Sequence, residues 1–345
     1  MGYVTVESLR NTTEALLRTW SVPEEQAAII ADTVVYAHTH EKHTHGITRM
    51  SIYRKKMDEG NMAADTRLTT KIDAPALAVL QSNNGFGQVA AYEGMKRCME
   101  KARNTGVAAV FISDSNNFGV TGYFGEIAAR EGMVGIVITS SGPAVAPLGG
   151  VRSIFGTNPI CCAFPAPEGN IVLDMAISEA ARGKIRLAQK NGEKIPFGWA
   201  VDKDGNPTDD PTRALEGNML AIGGVKGFGL AMSIDILAGL LSGSAFGGGT
   251  KPLAASDGPS RHGHMLMAIN IGQMMEREEY DSKITQLIAN VKACGQPGMI
   301  QMPGERSAKK AEKNRYAVSL NDKQITDYNA LAEQYHAPKL VGVEE

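Results

Sequence analysis

Apolar positions in the first forty residues recur at helical spacing. Leu9, Leu16 and Leu17 share a stripe behind Thr5, a capping residue. AAIIADTVVYA (27–37) follows Ser21-Val-Pro-Glu24, which reads as a capping box with proline placed early. ITRMSIYRKKMDEG (47–60) continues as a helix closed by Gly60. From about residue 70 the pattern changes. ALAVLQS (76–82), VAAVFIS (107–113) and MVGIVITSS (133–141) read as strands, separated by helical AAYEGMKRCMEKARNTG (90–106) and YFGEIAAREG (123–132). This alternation predicts an α/β core. Residues 143–207 set short apolar runs, NPICCAF and NIVLDMA, among Gly, Pro and Asn, and read as strands joined by shaped loops. GFGLAMSIDILAGLLSG (227–243) predicts a buried apolar helix, the Gly-rich tract 242–264 a long surface loop, and HMLMAINI (264–271) a strand. Two solvent-facing amphipathic helices, within 276–293 and 321–337, end the chain.

Composition narrows the class. A length of 345 residues calls for one large or two interlocked domains. The net charge of −2 offers no pull toward nucleic acid or an anionic membrane. No apolar run approaches the roughly 20 residues of a membrane span. The N-terminus lacks the layout of a signal peptide, and Gly2 lacks the context for acylation. Cys98, Cys161, Cys162 and Cys294 form neither a CxxC motif nor a disulfide framework, and the expected compartment is a reducing cytoplasm.

The densest chemistry is HTHEKHTHG (38–46), which holds four of the seven histidines. Read as a metal site, it would make the protein a metal-dependent hydrolase. Zinc needs further ligands from distant strand ends, and only His262, His264 and His336 remain. His38, His40 and His43 read as a solvated helix end, where imidazoles complement the dipole. His45 differs, because Arg49 recurs one helical turn later. A proton carrier beside a guanidinium fork suits a 2-oxo acid: Arg grips the carboxylate and His moves the hydroxyl proton. Gly85-Phe-Gly87-Gln-Val-Ala90 satisfies GxGxxA, with Asp114 the acid available after the next strand. The alternative is a helix start under close backbone approach. Gly227-Phe-Gly229 after Lys226 forms a helix N-terminus able to hold phosphate. Asp174, ending the strand IVL, is either a turn-initiating acid or the carboxylate that orients the catalytic histidine.

Together these stretches resemble the type-2 malate/L-lactate dehydrogenase family, which includes ureidoglycolate, sulfolactate and diketogulonate dehydrogenases. The resemblance rests on Thr44-His45-Gly46 with Arg49 and Tyr53, NNGFGQVAA (83–91), FGTNP (155–159) and IVLDMA (171–176). IPFGWAVDKDGNPTDDP (195–211), GGVKGFGLAM (223–232) and MPGE (302–305) complete it, in the family's order over nearly the whole chain. It implies an α/β, non-Rossmann mixed-sheet NAD(P)-binding domain (71–305), which makes the GxGxxA match a lookalike. A helical, substrate-side domain is formed by residues 1–70 joined by 306–345. It further implies a homodimer and reversible hydride transfer between NAD or NADP and a 2-hydroxy acid. Carried over by residue, His45 resembles the family's proton donor/acceptor, while Arg49 and Tyr53 lie where substrate is held; Asp174, as the carboxylate that would orient His45, and Asn117, on the substrate side, complete the expected site. Ser141, Met175, Ala176, Ile177, Lys226, Gly304, Glu305 and Arg306 match cofactor contacts; no metal is implied. Three positions depart from the family pattern: Asn117 stands where many members carry a second histidine, Ile177 replaces a threonine, and His40 replaces an arginine. Reduction of a cyclic imine acid uses the same carboxylate grip, and a lapsed relative that only binds dinucleotide is the reading Asn117 suggests.

Overall fold

The computed structural model describes residues 2–343. Strand β1 (Gly2–Thr5) leads into α1 (Val6–Thr19), and Thr5 caps that helix by accepting from the Ser8 amide at 3.0 Å. Helix α2 (Glu24–Thr39) starts after Pro23 with no side-chain cap, and Ser21 takes a φ of 65°, so the expected capping box does not form. Helix α3 (Met50–Asp58) ends at Gly60, as read from the sequence. Next come β2 (Thr69–Ala74), β3 (Leu77–Gln81), α4 (Gly87–Thr105), β4 (Val107–Ser115), α5 (Thr121–Arg130) and β5 (Met133–Thr139). Strands β6 (Ile160–Phe164) and β7 (Ile171–Met175) follow, then α6 (Arg182–Asn191), β8 (Ala200–Val201), α7 (Pro211–Glu216), β9 (Asn218–Met219) and α8 (Val225–Ile234). The chain closes with β10 (His262–Asn270), α9 (Arg277–Ala293), α10 (Glu305–Lys313), β11 (Ala317–Leu320) and α11 (Asp322–Gln334).

Seven strands form one mixed sheet in the order β2-β3-β4-β10-β5-β6-β7, and only β3 and β4 run parallel. Strand β10, the longest-range insertion, pairs antiparallel with β4 on one side and β5 on the other. Side chains alternate across the sheet. Ala108, Val110, Ile112, Leu266 and Ala268 enter the core under α4 and α5, whereas Phe111, Met265 and Met267 enter the core on the opposite face. Gly87, the second glycine of the GxGxxA stretch, opens α4 where a Cβ would lie 2.1 Å from the Asn116 carbonyl oxygen. Close backbone approach therefore accounts for that glycine. Asp114 is engaged by Arg261 and Gln81.

The chain ends meet. β1 pairs antiparallel with β11, and the Thr13 and Tyr328 hydroxyls lie 2.8 Å apart. Leu9, Leu16, Leu17, Ile30, Met50, Val318 and Tyr328 share one core, which also takes in Phe86, Val89 and Leu253. α11 thus buries Tyr328 and Ala332, while α9 has no buried residue. Two expectations need correction. The apolar stretch after Lys226 is α8 continued by a π-helical turn, Asp235–Leu240, and it is not buried all round: Met232 is 47% and Leu241 52% exposed. The Gly-rich tract is more than surface loop, because Thr250, Leu253 and Ser260 are buried and the Ser260 hydroxyl accepts from Lys56 of α3 at 2.8 Å.

His38, His262 and His264 are buried and neutral, with burial the main cause lowering their pKa to about 3, about 4 and about 3. In the unfolded chain each returns to about 6.5, so below that pH the unfolded state takes up protons that the native state refuses. Stability should be level above pH 6.5 and fall by about 1.4 kcal/mol per pH unit for each ring well below it, down to pH 3–4. Urea midpoints at pH 7.5, 6 and 5 check this. An unchanged midpoint at pH 5 would mean the native rings already carry charge.

Candidate active site

After α2 the chain turns through residues 40–42 into two short 3-10 turns, His43–His45 and Ile47–Arg49, which lead into α3. Gly46 separates them. A Cβ there would sit 2.1 Å from Nε2 of His38, so no other residue lets the turn approach α2 so closely. His38, expected in a solvated helix end, is instead fully buried beneath this turn. Its Nε2 accepts from the Ile47 amide at 3.0 Å, and its Nδ1 lies 3.0 Å from Nδ1 of His43. His40 stacks on Tyr36 with ring centroids 3.7 Å apart. His38 and His43 thus meet while His40 and His45 take other partners, and among the described residues no group of three or more His, Cys, Asp or Glu is arranged to hold a metal ion.

His45 and Arg49 come together on the turn. The Thr44 hydroxyl lies 2.9 Å from Nδ1 of His45, and Nε of Arg49 donates to the Thr44 carbonyl at 2.6 Å. Burial first, then the charges of Arg49 and Lys42, lower the His45 pKa to about 3. The imidazole is therefore a neutral base at neutral pH. Among the described residues no carboxylate pairs with Arg49, and its hydrogen bond uses only the Nε edge. That leaves the two terminal nitrogens for an anion. Asn117 accepts from the Gly119 amide at 3.1 Å, in a turn that lies against the His45 carbonyl.

Two residues are placed differently from expectation. Tyr53 is fully buried in the terminal core, stacked edge-on to Phe86, with its hydroxyl accepting from Gln88 at 2.9 Å. It supports α3 behind Arg49 and does not line an open site. Asp174 makes no hydrogen bond to His45; its carboxylate is ion-paired with Lys42. Orientation of the His45 ring falls to Thr44 instead. The sequence named Thr44 only as part of a motif and gave no part to Lys42 or to the structural use of His38, because their partners lie in the folded turn or, for Lys42, 132 residues away at Asp174.

The residues at cofactor-like positions form a continuous path. Gly304, at a φ of 87°, packs its turn onto Val172 of β7. A cleft of ≈ 320 Å³ between them is lined by Asp174, Lys42, His40, Gly304, Arg306 and Lys310. The Glu305 carboxylate is occupied by Lys309 and the Met302 amide, which hold its pKa down at about 2. Met175 and Ala176 are half-buried and lead to Ile177, whose side chain is in the core, so only its backbone can face a ligand. The Ile177 amide donates to the Thr157 carbonyl at 2.8 Å, beside Ser141, and its carbonyl accepts from Ile222 at 2.8 Å. That bond sets the Gly223-Gly224 turn and exposed Lys226 at the N-terminus of α8. The Gly223 amide donates to the Glu179 carboxylate at 3.4 Å and the Lys226 amide to the Gly223 carbonyl at 3.4 Å, so the exposed ammonium of Lys226 is the group here that can meet a phosphate.

Comparison with known proteins identifies the family of the whole chain. The family model described as malate/L-lactate dehydrogenase matches residues 4–328. The chain is 37% identical over 334 residues to the malate/(S)-sulfolactate dehydrogenase of Methanothermus fervidus, covering 96% of this chain and 97% of that one. The structure of sulfolactate dehydrogenase from Methanocaldococcus jannaschii superposes with a TM-score of 0.92 at 34% identity, covering 97% of this chain and 98% of that one. Two other relatives are named for opposite cofactors. A (2R)-3-sulfolactate dehydrogenase (NADP(+)) of Chromohalobacter salexigens is 31% identical over 92% of this chain and 94% of its own. An ureidoglycolate dehydrogenase (NAD(+)) of Escherichia coli K12 is 34% identical over 87% and 86%. The fold and family together define an oxidoreductase of the 2-hydroxy acid dehydrogenase class. The chain belongs to the malate/L-lactate dehydrogenase family.

The Lys42–Asp174 pair makes a testable claim, since the Asp174 side chain is 13% exposed. In a double-mutant cycle, Lys42→Met and Asp174→Asn should couple by about 0.5–3 kcal/mol in denaturant stability. Additive losses would show that the two side chains do not act as a pair.

Proposed function

We propose that this protein transfers a hydride between a nicotinamide dinucleotide, NAD or NADP, and a small 2-hydroxy/2-oxo acid, with His45 moving the hydroxyl proton and Arg49 holding the carboxylate. The observation that carries this reading is the free fork of Arg49 one turn from the neutral imidazole of His45, both tied to Thr44. In the oxidative direction His45 accepts the hydroxyl proton, and in the reductive direction it returns a proton to the carbonyl oxygen. Nδ1 is engaged by Thr44, which directs Nε2 to the substrate. Arg49 binds the carboxylate bidentately and fixes the reacting carbon beside the ring. The Asn117 turn closes the site as a neutral hydrogen-bonding group, because an amide does not titrate near neutral pH. When bound, the nicotinamide supplies or accepts the hydride. Ser141, Met175, Ala176, the Ile177 backbone, Lys226 and the Gly304–Arg306 turn form the surface on which we place the dinucleotide. The relatives' names favour malate- or sulfolactate-type substrates with a second negative group.

The exposed apolar face of α8 and its π-turn, with Met232, Ile236, Leu240 and Leu241, supports a homodimer in which a second copy covers it. Light scattering should return twice the chain mass. A monomer at micromolar concentration would oppose this.

A panel of 2-oxo acids and one cyclic imine acid, with NADH and NADPH followed by cofactor absorbance, tests the activity itself. His45→Gln should lower kcat by about two to four orders of magnitude with cofactor binding unchanged. Arg49→Lys should chiefly raise KM, because a point charge does not reproduce the fork. Pairing Arg49 with a carboxylate also removes one charge that depresses His45. The acid limb of kcat for oxidation should therefore lie at higher pH than that of kcat/KM, which reports the free enzyme. Full activity of His45→Gln would falsify the assignment.

A further inference from the structure

Among the buried titratable groups that the mechanism does not use, His38 is the one packed against the turn that carries His45. His38 has no accessible surface, yet both its ring nitrogens face specific partners on the catalytic turn. The proton positions follow from one fixed donor. The Ile47 amide can only donate, so Nε2 of His38 carries no proton. A neutral His38 then carries its proton on Nδ1, which lies 3.0 Å from Nδ1 of His43. That nitrogen of His43 must in turn be bare to accept it. The order Ile47 N–H to His38 to His43 leaves no alternative tautomer that keeps both bonds. The ring also fills the space over Gly46, so the turn is held from three points: residue 43, residue 46 and residue 47.

We propose that His38 is a positioning residue for catalysis: as a neutral imidazole locked in one tautomer, it fixes the His43–Ile47 turn and thereby aims His45 and Arg49. His45 lies between the two anchor points, and the turn has no other side-chain hydrogen bond to α2 among the described residues. Around the pair, Glu41 is ion-paired with Lys310, and both face the half-buried ring of His43. Asn314, which follows α10 as its C-cap, donates to the Thr39 carbonyl at 3.0 Å and secures the end of α2. An active turn of this kind is sensitive to small errors, since misplacement of about 1 Å costs on the order of a hundredfold in rate.

This assignment rests on His45 being the proton carrier, and the test separates the two. Three replacements of His38 dissect its bonds. His38→Gln can offer an amide oxygen near the Nε2 position and keep the Ile47 bond. His38→Asn offers only an amide near the Nδ1 position, and His38→Leu keeps volume without either bond. Turnover should fall about tenfold to a hundredfold in His38→Leu and His38→Asn but stay within about threefold in His38→Gln. Cofactor affinity, read by nicotinamide fluorescence, should be unchanged in all three. Nitrogen-15 imidazole spectra of the wild type at pH 7 should show His38 protonated on Nδ1. A folded His38→Leu with wild-type kcat, or a ring protonated on Nε2, overturns the proposal. So does equal loss in the Gln and Asn variants. If His45→Gln were fully active, the functional reading would fail first, whatever the His38 variants did.

Discussion

Lys42 and Asp174 stand 132 residues apart in sequence, and their ion pair spans the boundary between the helical unit and the end of β7. Much else depends on that contact. The turn that carries His45 begins at Lys42, and the path of cofactor-like residues begins at Asp174. A charge pair with one partner only 13% exposed has little freedom to slide, because separating the ions would leave a carboxylate without compensation. The pair therefore holds the turn of the proposed proton carrier, His45, against the end of β7, where the proposed dinucleotide surface begins.

The catalytic turn is held from behind as firmly as from the front. His38 and Gly46 form one packing solution: the imidazole occupies the volume that any side chain at 46 would need. Tyr53 extends the same support one helix further, bonding Gln88 of α4 and packing on Phe86. Residues that look like chemistry in the sequence thus divide between those left accessible and those that hold them. The division is set by burial. His45 stays partly open and His38 does not.

Much of the fold was legible from periodicity. The strands from β3 to β7, the helices α1 to α5 and the final helix all lie near where the apolar pattern puts them. The short pieces were not legible: β1, β8, β9 and β11 are two to four residues long, too short to show a period. The exposed edge strand β2 carries little apolar signal, since five of its six residues are exposed. The apolar stretch of α8 misled for the opposite reason. Hydrophobicity marks a surface that will be covered, and it does not say whether the cover belongs to the same chain.

For the site, the sequence by itself determined the ingredients: a Thr-His-Gly turn with arginine one helical turn on, an Asp-Met-Ala strand end, and a glycine pair before a helix. Those depend on local spacing, and local spacing survives folding. Only the tertiary structure decided the partners. It gave Asp174 to Lys42, Tyr53 to Gln88 and His38 to the Ile47 amide, and among the described residues it paired no carboxylate with Arg49. Hydrogen bonds and ion pairs are settled by distances across the fold, which for Asp174 and Tyr53 span tens of residues. Even the His38 bond, nine residues long, depends on a turn whose course a sequence pattern does not specify.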